Sequence, residues 1–426
     1  MEVFNLFGMV VYLMKANVGR ETIYLYLVQI SNIILPLVLV PYLAHVLGVE
    51  FFGKLSYAQA ISYIAIFFVD FGFNFSAARN IGIDTNNNKN ISRIYSNVQV
   101  IKSLIFIAVV LLGIAFVLLS NQSIIDKKLT ILGVLSASSS ILMPAWLFQG
   151  LGRNSNVAFL NFASRLLSLL LIVLFVKNQE DLIIAAICQL FSPVLAGVGM
   201  QMVILKNKVV DFTFSHISFE DIKILSRDSF HNFSASFLTL GFTYFNPIII
   251  KVFLGDSVLG VYSFADKLAN VLRQLYIPLV QANFSRVCSL FHEQKYSTLK
   301  NMFIKIAYVF LGISLFAYIS NYFLGEVVIN LFFSEGEGVS TLLRVMIFTQ
   351  FIIAISMILV NLIVIPAGQS YYLKKVYLFA VIFYFSIIYP MIKWGGVYGV
   401  AISISLVELL IVCLFFKFIK KKKILI

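Results

Sequence analysis

Long apolar runs broken by short polar connections set the pattern of this chain. A membrane-spanning helix needs about 20 mostly apolar residues. Twelve such runs can be drawn: Thr22–Leu47, Leu55–Ile81, Ile94–Ser120, Leu129–Gly150, Val157–Val176, Leu182–Leu205, Ser229–Leu254, Val258–Ser289, Met302–Leu324, Ser340–Ile365, Tyr371–Lys393 and Val397–Phe418. The runs are continuous rather than alternating, so they predict helices and exclude a strand-built barrel. The expected fold is all-α and membrane-embedded, with twelve transmembrane helices in two six-helix bundles, 22–205 and 229–418. A cytoplasmic linker, 206–228, joins the bundles. A cytoplasmic or interfacial segment, 1–21, precedes them and a basic tail, 419–426, follows.

Composition removes the main competitors. Of 426 residues, 60% are apolar and 12% charged, against about 45–50% and 25% in a soluble domain. Too little polar surface remains to cover a water-soluble enzyme or a nucleic-acid-binding domain. The net charge of +13 reads as basic cytoplasmic loops, with no nucleic acid as partner. With the N-terminus inside, 21 of the 32 Lys and Arg fall on inner segments and six on outer ones. Both termini are then cytoplasmic, as an even helix count requires. Cys188, Cys288 and Cys413 and the four histidines are scattered. Their spacing suggests no disulfide, metal site or cofactor.

The stretch Phe4–Met14 is apolar but too short to span, and it lacks the basic start of a signal peptide. It reads either as an interfacial segment or as residues upstream of a true start at Met14. All eight prolines lie in or at the ends of spans, where bending helices of transporters often carry them.

An internal repeat links the two halves. Leu47-Gly48 is followed by Gly53 and Ala58, and Leu254-Gly255 by Gly260 and Ala265. The pattern L-G-x4-G-x4-A recurs at an offset of 207 residues. Each copy falls at the outer turn between the first two helices of a half. Six helices per half give parallel repeats, a design that binds substrate between the halves.

Several ionisable residues fall at membrane depth within spans, among them Asp70, Lys102, Arg165, Asp266, Lys267, Arg273, Arg344 and Glu408. Each costs about 2.5–3.5 kcal/mol on the insertion scale, so such groups usually face a cavity or a partner. On the eighth helix, Asp266, Asn270, Arg273, Gln274 and Gln281 share one face. Arg273 lies about 22 Å from the outer end, near the bilayer centre. Gln59, Tyr63, Asp70 and Asn74 line the matching face of the second helix. The candidate cavity set is Arg273, Asp266, Arg165, Lys267, Lys102, Asn270 and Gln274. Asp70 and Glu408 are candidates for ion coupling or gating. The plainer alternatives are an Asp266–Arg273 structural pair, and snorkelling by Lys267, Arg344 and Lys102. A net basic interior favours an anionic substrate, since Arg and Lys bind phosphate through charge-assisted hydrogen bonds.

Several segments, in order, resemble bacterial O-antigen flippases of the Wzx type. They are Leu35-Pro36 to Pro41-Tyr42-Leu43, Leu47-Gly48, Phe52-Gly53, Ala58-Gln59-Ala60, Val69-Asp70-Phe71-Gly72-Phe73-Asn74-Phe75-Ser76-Ala77, Trp146-Leu147-Phe148-Gln149-Gly150 and Pro278-Leu279-Val280-Gln281-Ala282. The resemblance implies the fold of the multidrug/oligosaccharidyl-lipid/polysaccharide exporters (MATE-like), with pseudo-twofold symmetry along the membrane normal. It implies transfer of an undecaprenyl-pyrophosphate-linked repeat unit to the periplasmic leaflet of the inner membrane. A polysaccharide polymerase and a chain-length regulator would be candidate partners, beside membrane lipid. The competing readings are a drug or cation exporter, expected to have a more acidic cavity, and a lipid II flippase, expected to have more helices. A membrane-embedded polymerase would usually carry a large periplasmic loop, and no outer loop here exceeds about a dozen residues. No catalytic constellation can be drawn, so no enzyme is expected. The charged faces disfavour a purely structural membrane protein.

Overall fold

The computed structural model describes residues 17–85, 87–332, 338–422 and 424. The apolar stretch Phe4–Met14 lies outside them. The described residues are overwhelmingly helical. Eight stretches are long and apolar enough to cross a bilayer, and two of them, 33–83 and 371–421, are 51 residues long. At 1.5 Å per residue each of these would extend about 77 Å, more than twice the hydrocarbon thickness. Each is instead a pair of helices folded about one glycine, Gly48 or Gly396. Two further helical stretches, within 219–254 and 256–292, carry more polar residues. Counting each folded pair as two, the described residues form twelve helical passages, and this is a multi-pass membrane protein.

The passages are α1 (17–47), α2 (49–70, continued by Phe73–Ile83) and α3 (Asn88–Leu119). Next come α4 (Ile124–Leu135, continued by Ser139–Leu142 and Ala145–Gly150), α5 (Asn154–Phe175) and α6 (Leu182–Leu190 and Ser192–Asn207). The second half comprises α7 (Phe219–Thr243 and Asn246–Leu254), α8 (Asp256–His292), α9 (Tyr296–Phe332), α10 (Val339–Met357 with a π-turn, Ile358–Val364), α11 (371–395) and α12 (397–421).

The first turn differs from the loop expected between Leu47 and Leu55. The chain reverses at the single residue Gly48 (φ 73°, ψ 171°), and α2 starts at once. Gly255, its equivalent in the repeat, has nearly the same backbone (φ 88°, ψ 176°). An L-residue pays heavily for such angles, whereas glycine does not. The repeated Leu-Gly is thus a repeated corner.

By contacts the chain divides into two compact units. One comprises Met1–Leu35 with Ala58–Ser236, the other Pro36–Tyr57 with Phe237–Ile426. The Gly48 corner therefore packs with the second half of the sequence, although residues 17–35 of α1 and most of α2 belong with the first. In the first unit, α2 breaks at Phe71-Gly72, both at positive φ. A Cβ on Gly72 would lie 2.6 Å from the Ser229 carbonyl. The break lets Phe71 stack on Phe233 at 5.0 Å, and Ser76 pairs with Ser229 at 2.6 Å. Trp146, Leu147 and Phe148 are fully buried beside Phe73–Ile83, and Gly150 meets the Ala78 carbonyl there. The motif around Trp146 is thus a packing element. In the second unit α10 is central: it packs on α8, α9 and the α11–α12 pair and buries more of its length than any other of the eight apolar spans.

Candidate functional site

Two polar clusters lie at membrane depth, one in each unit. The first arises from a defect in α4. Pro144 has no N–H, so the carbonyl of Ser140, four residues earlier, loses its helical donor. The Ala145 N–H turns to Met143, which frees the Ile141 carbonyl as well. Three side chains supply the missing donors. Lys102 Nζ reaches the Ser140 carbonyl at 3.0 Å, Gln99 Nε2 reaches Ile141 at 3.1 Å, and Gln201 Nε2 reaches Leu142 at 2.8 Å.

Lys102 is 1% exposed and makes two further contacts. Its ammonium donates to Asp70 Oδ1 at 2.9 Å and to the Ser140 hydroxyl at 3.1 Å. The Ser140 hydroxyl donates to the same carboxylate oxygen at 2.5 Å, and Asn74 donates to the other at 3.2 Å. All three ammonium hydrogens and both carboxylate oxygens are engaged. A buried ion pair is tolerable only when satisfied in this way.

The second cluster is a relay along α8 and α10. Asn270 Nδ2 donates to Asp266 Oδ2 at 2.9 Å, and Gln350 Nε2 approaches Asn270 Oδ1 at 3.5 Å. Arg273 Nε donates to Gln350 Oε1 at 3.2 Å. The carboxylate and the guanidinium, two turns apart, are thus joined through two amides. Glu408 on α12 lies within electrostatic reach of Arg273. The Thr349–Ser405 hydroxyl pair, at 2.5 Å, ties α10 to α12 one turn away. Nearby, the buried Tyr384 hydroxyl donates to Asn246 Oδ1.

The structure therefore brings Asp266, Asn270, Arg273 and Glu408 into one neighbourhood, and Asp70 and Lys102 into another. Lys267 lies within electrostatic reach of Asp266. Its Nζ lies 4.8 Å from the Phe52 ring centroid and 3.4 Å from the Ser56 hydroxyl. Arg165 is exposed on α5, and Gln274 is half-buried beside Arg273. Gln99, Gln201 and Gln350 are missed by a reading that looks for charge. The signal for the first two was Pro144, and for Gln350 its place in the apolar run of α10. Among the described residues, no group of three or more His, Cys, Asp or Glu is placed to hold a metal.

The polar clusters occur in a chain with clear relatives. Two curated proteins, both named "Putative O-antigen transporter", align with it. The one from Shigella dysenteriae is 27% identical over 408 residues, covering 96% of this chain and 100% of the relative. The one from Escherichia coli (strain K12) is 30% identical over 284 residues, covering 65% and 66%. Among solved structures, the lipid II flippase MurJ in an inward closed conformation superposes with a TM-score of 0.69. It is 16% identical, covering 94% of this chain and 87% of that one. The Vibrio cholerae MATE transporter VcmN in its bent form gives 0.56 at 15% identity, with 98% of each chain covered. These two establish a MATE-like fold. A family model described as "Polysaccharide biosynthesis protein" matches residues 18–291, well over half the chain. The chain belongs to the polysaccharide biosynthesis protein family.

Proposed function

We propose that this protein is an O-antigen flippase. It moves undecaprenyl-pyrophosphate-linked oligosaccharide from the cytoplasmic to the periplasmic leaflet of the bacterial inner membrane by alternating access. The observation that carries the reading is the Asp266–Asn270–Gln350–Arg273 relay at membrane depth, in a chain whose relatives are named as O-antigen transporters. Both termini lie on the cytoplasmic side, as the Lys and Arg bias indicates.

In this reading Arg273 receives the anionic head. Gln350 holds its Nε edge, so the terminal nitrogens face a phosphate in the bidentate geometry that guanidinium favours. Asn270, Gln274 and Asp266 offer hydrogen bonds to sugar hydroxyls. Arg165 and Lys267 add positive charge on the approach. Lys102 serves the substrate only in a state where Asp70 releases it, which makes Asp70 a coupling candidate. Glu408, facing Arg273, is the other. Such a flippase would feed a polysaccharide polymerase and its chain-length regulator.

The test is deletion and complementation in the native strain, following surface polysaccharide and the sidedness of lipid-linked repeats. Loss of polymer with repeats held on the cytoplasmic face is expected. Normal polymer, or repeats that reach the periplasmic face unpolymerised, overturns the reading.

A further inference from the structure

We propose that the segment joining the two halves, 208–218, is a strap fixed along α3 and not a hinge, and that Asn97 is the positioning residue that holds it there. The inference rests on the transport reading above, and its observations come from one compact unit, Met1–Leu35 with Ala58–Ser236.

α6 ends at Asn207 and α7 begins at Phe219. Between them the chain is irregular apart from one turn of 3-10 helix, Phe214–His216. A connection of this kind ordinarily runs over the surface and is mobile. Here its backbone groups are taken up by side chains of α3. The Asp211 N–H donates to the Ser92 hydroxyl at 3.2 Å, and the Thr213 N–H donates to the Ser96 hydroxyl at 3.1 Å. Asn97 holds a donor and an acceptor at once. Its amide donates to the His216 carbonyl at 2.9 Å, and its oxygen accepts from the Ser218 N–H at 3.1 Å. The same amide donates to the Arg93 carbonyl of its own helix at 2.8 Å, which fixes the side chain's direction. Ser92, Ser96 and Asn97 are all buried.

The fit has a geometric basis. Alternate N–H groups of an extended chain repeat at about 6.6 Å. Residues four apart on a helix repeat at about 6 Å. An extended segment can therefore set two successive donors against one face of a helix, and 211–213 does so along Ser92 and Ser96. Val210, just before the first donor, is buried in the same core as Ile91, Ile94 and Val98 of α3. Beyond the strap, Arg93 approaches Asp221 in the first turn of α7 at 3.5 Å. Arg93 is exposed, and such a pair holds little by itself. The buried polar groups decide the matter. Three polar side chains facing the core of a helix bundle are costly unless paired, and the linker backbone pairs them. Peeling the linker away would strand both sides. α3 and the start of α7 thus travel as one piece through the transport cycle.

The experiment uses the full-length protein with its three native cysteines replaced by serine and Arg93→Cys/Asp221→Cys added. A short reducible bifunctional thiol reagent ties α3 to α7, scored by loss of free thiols. Surface polysaccharide synthesis should continue at the uncross-linked rate. Synthesis that stops on cross-linking and returns on reduction shows that the linker must part from α3, and overturns the proposal. Asn97→Ala in the same background should lower synthesis about tenfold at normal abundance. Trypsin should cut the detergent-purified variant after Lys206 or Lys208 about tenfold faster than the parent. Cross-linking should then restore synthesis, which it would not do for a residue needed only for folding. Full synthesis, an unchanged cleavage rate, or a cross-link that restores nothing overturns the role of Asn97. If Asn97→Ala fails to accumulate, the cross-linked parent decides alone. If the flippase reading itself is wrong, the parent fails to restore polysaccharide before any cross-linking, while the cleavage rates still report the strap.

Discussion

The ammonium of Lys102 lies 2.9 Å from Asp70 and 3.0 Å from the Ser140 carbonyl that Pro144 leaves without a donor. One lysine therefore neutralises a carboxylate on α2 and caps a broken helix, α4. Removing it leaves two unmet needs. Lys102→Met should destabilise the protein by about 2–3 kcal/mol, somewhat under the value for a fully buried pair because Asp70 is partly exposed. Asp70→Asn should cost less, since an amide still accepts from Lys102. Thermal unfolding of the detergent-purified variants would check both. A Lys102→Met variant as stable as the parent would show that the pair is not structural.

Gln201 serves the same break from α6. Gln201→Leu strands the Leu142 carbonyl in an apolar setting, for a loss of about 1–3 kcal/mol. The same unfolding measurement applies. Tyr95 donates to Gln201 at 3.2 Å, so Tyr95→Phe should lose less than Gln201→Leu.

Glycines at positive φ should divide by their surroundings. A methyl on Gly72 would come within 2.6 Å of the Ser229 carbonyl, whereas one on Gly152 would meet nothing within 4 Å. Gly152→Ala should cost only the backbone strain, about 1–2 kcal/mol. Gly72→Ala adds a clash with backbone and should sharply lower the yield of monodisperse protein. Equal yields from the two variants would contradict the packing described at the Phe71-Gly72 break.

Arg273 tests the anion site through chemistry rather than stability. Arg273→Lys keeps the charge but loses the planar fork, so flipping should fall about tenfold, with a larger fall for Arg273→Ala. Immunoblots should show near-normal abundance for both. Normal surface polysaccharide in a strain depending on Arg273→Ala would remove that residue from the substrate path.

Much of this architecture was legible in the run lengths alone. The apolar segments mark the passages, and the Leu-Gly pair at 47–48 and 254–255 marks two equivalent corners. The polar face of α8 could be read because Asp266, Asn270 and Arg273 follow helical spacing. The role of Lys102 could not, because its acceptor exists only after Pro144 breaks α4 and α3 packs beside the break. Gln350 was hidden for a related reason. An amide in an apolar run has no distinctive spacing, and its meaning comes from Asn270 and Arg273 on a different helix. The loop expected between Leu47 and Leu55 also failed to appear. Hydropathy registers the polar residues Glu50 and Lys54, but these pair with each other at 2.6 Å on the outside of a helix.

The one-residue corner at Gly48 has a practical side. A connection without slack offers no site for an inserted epitope, a protease sequence or a fused reporter, because any added residue would unseat Gly53, where a Cβ would stand 1.9 Å from the Asp256 carbonyl oxygen. Tags meant to map which face of the bilayer each end occupies belong instead at 121–123 or 177–178, where the chain leaves its helices and side chains are largely open. A tag at the corner that silenced the protein would report damage to the joint and nothing about sidedness.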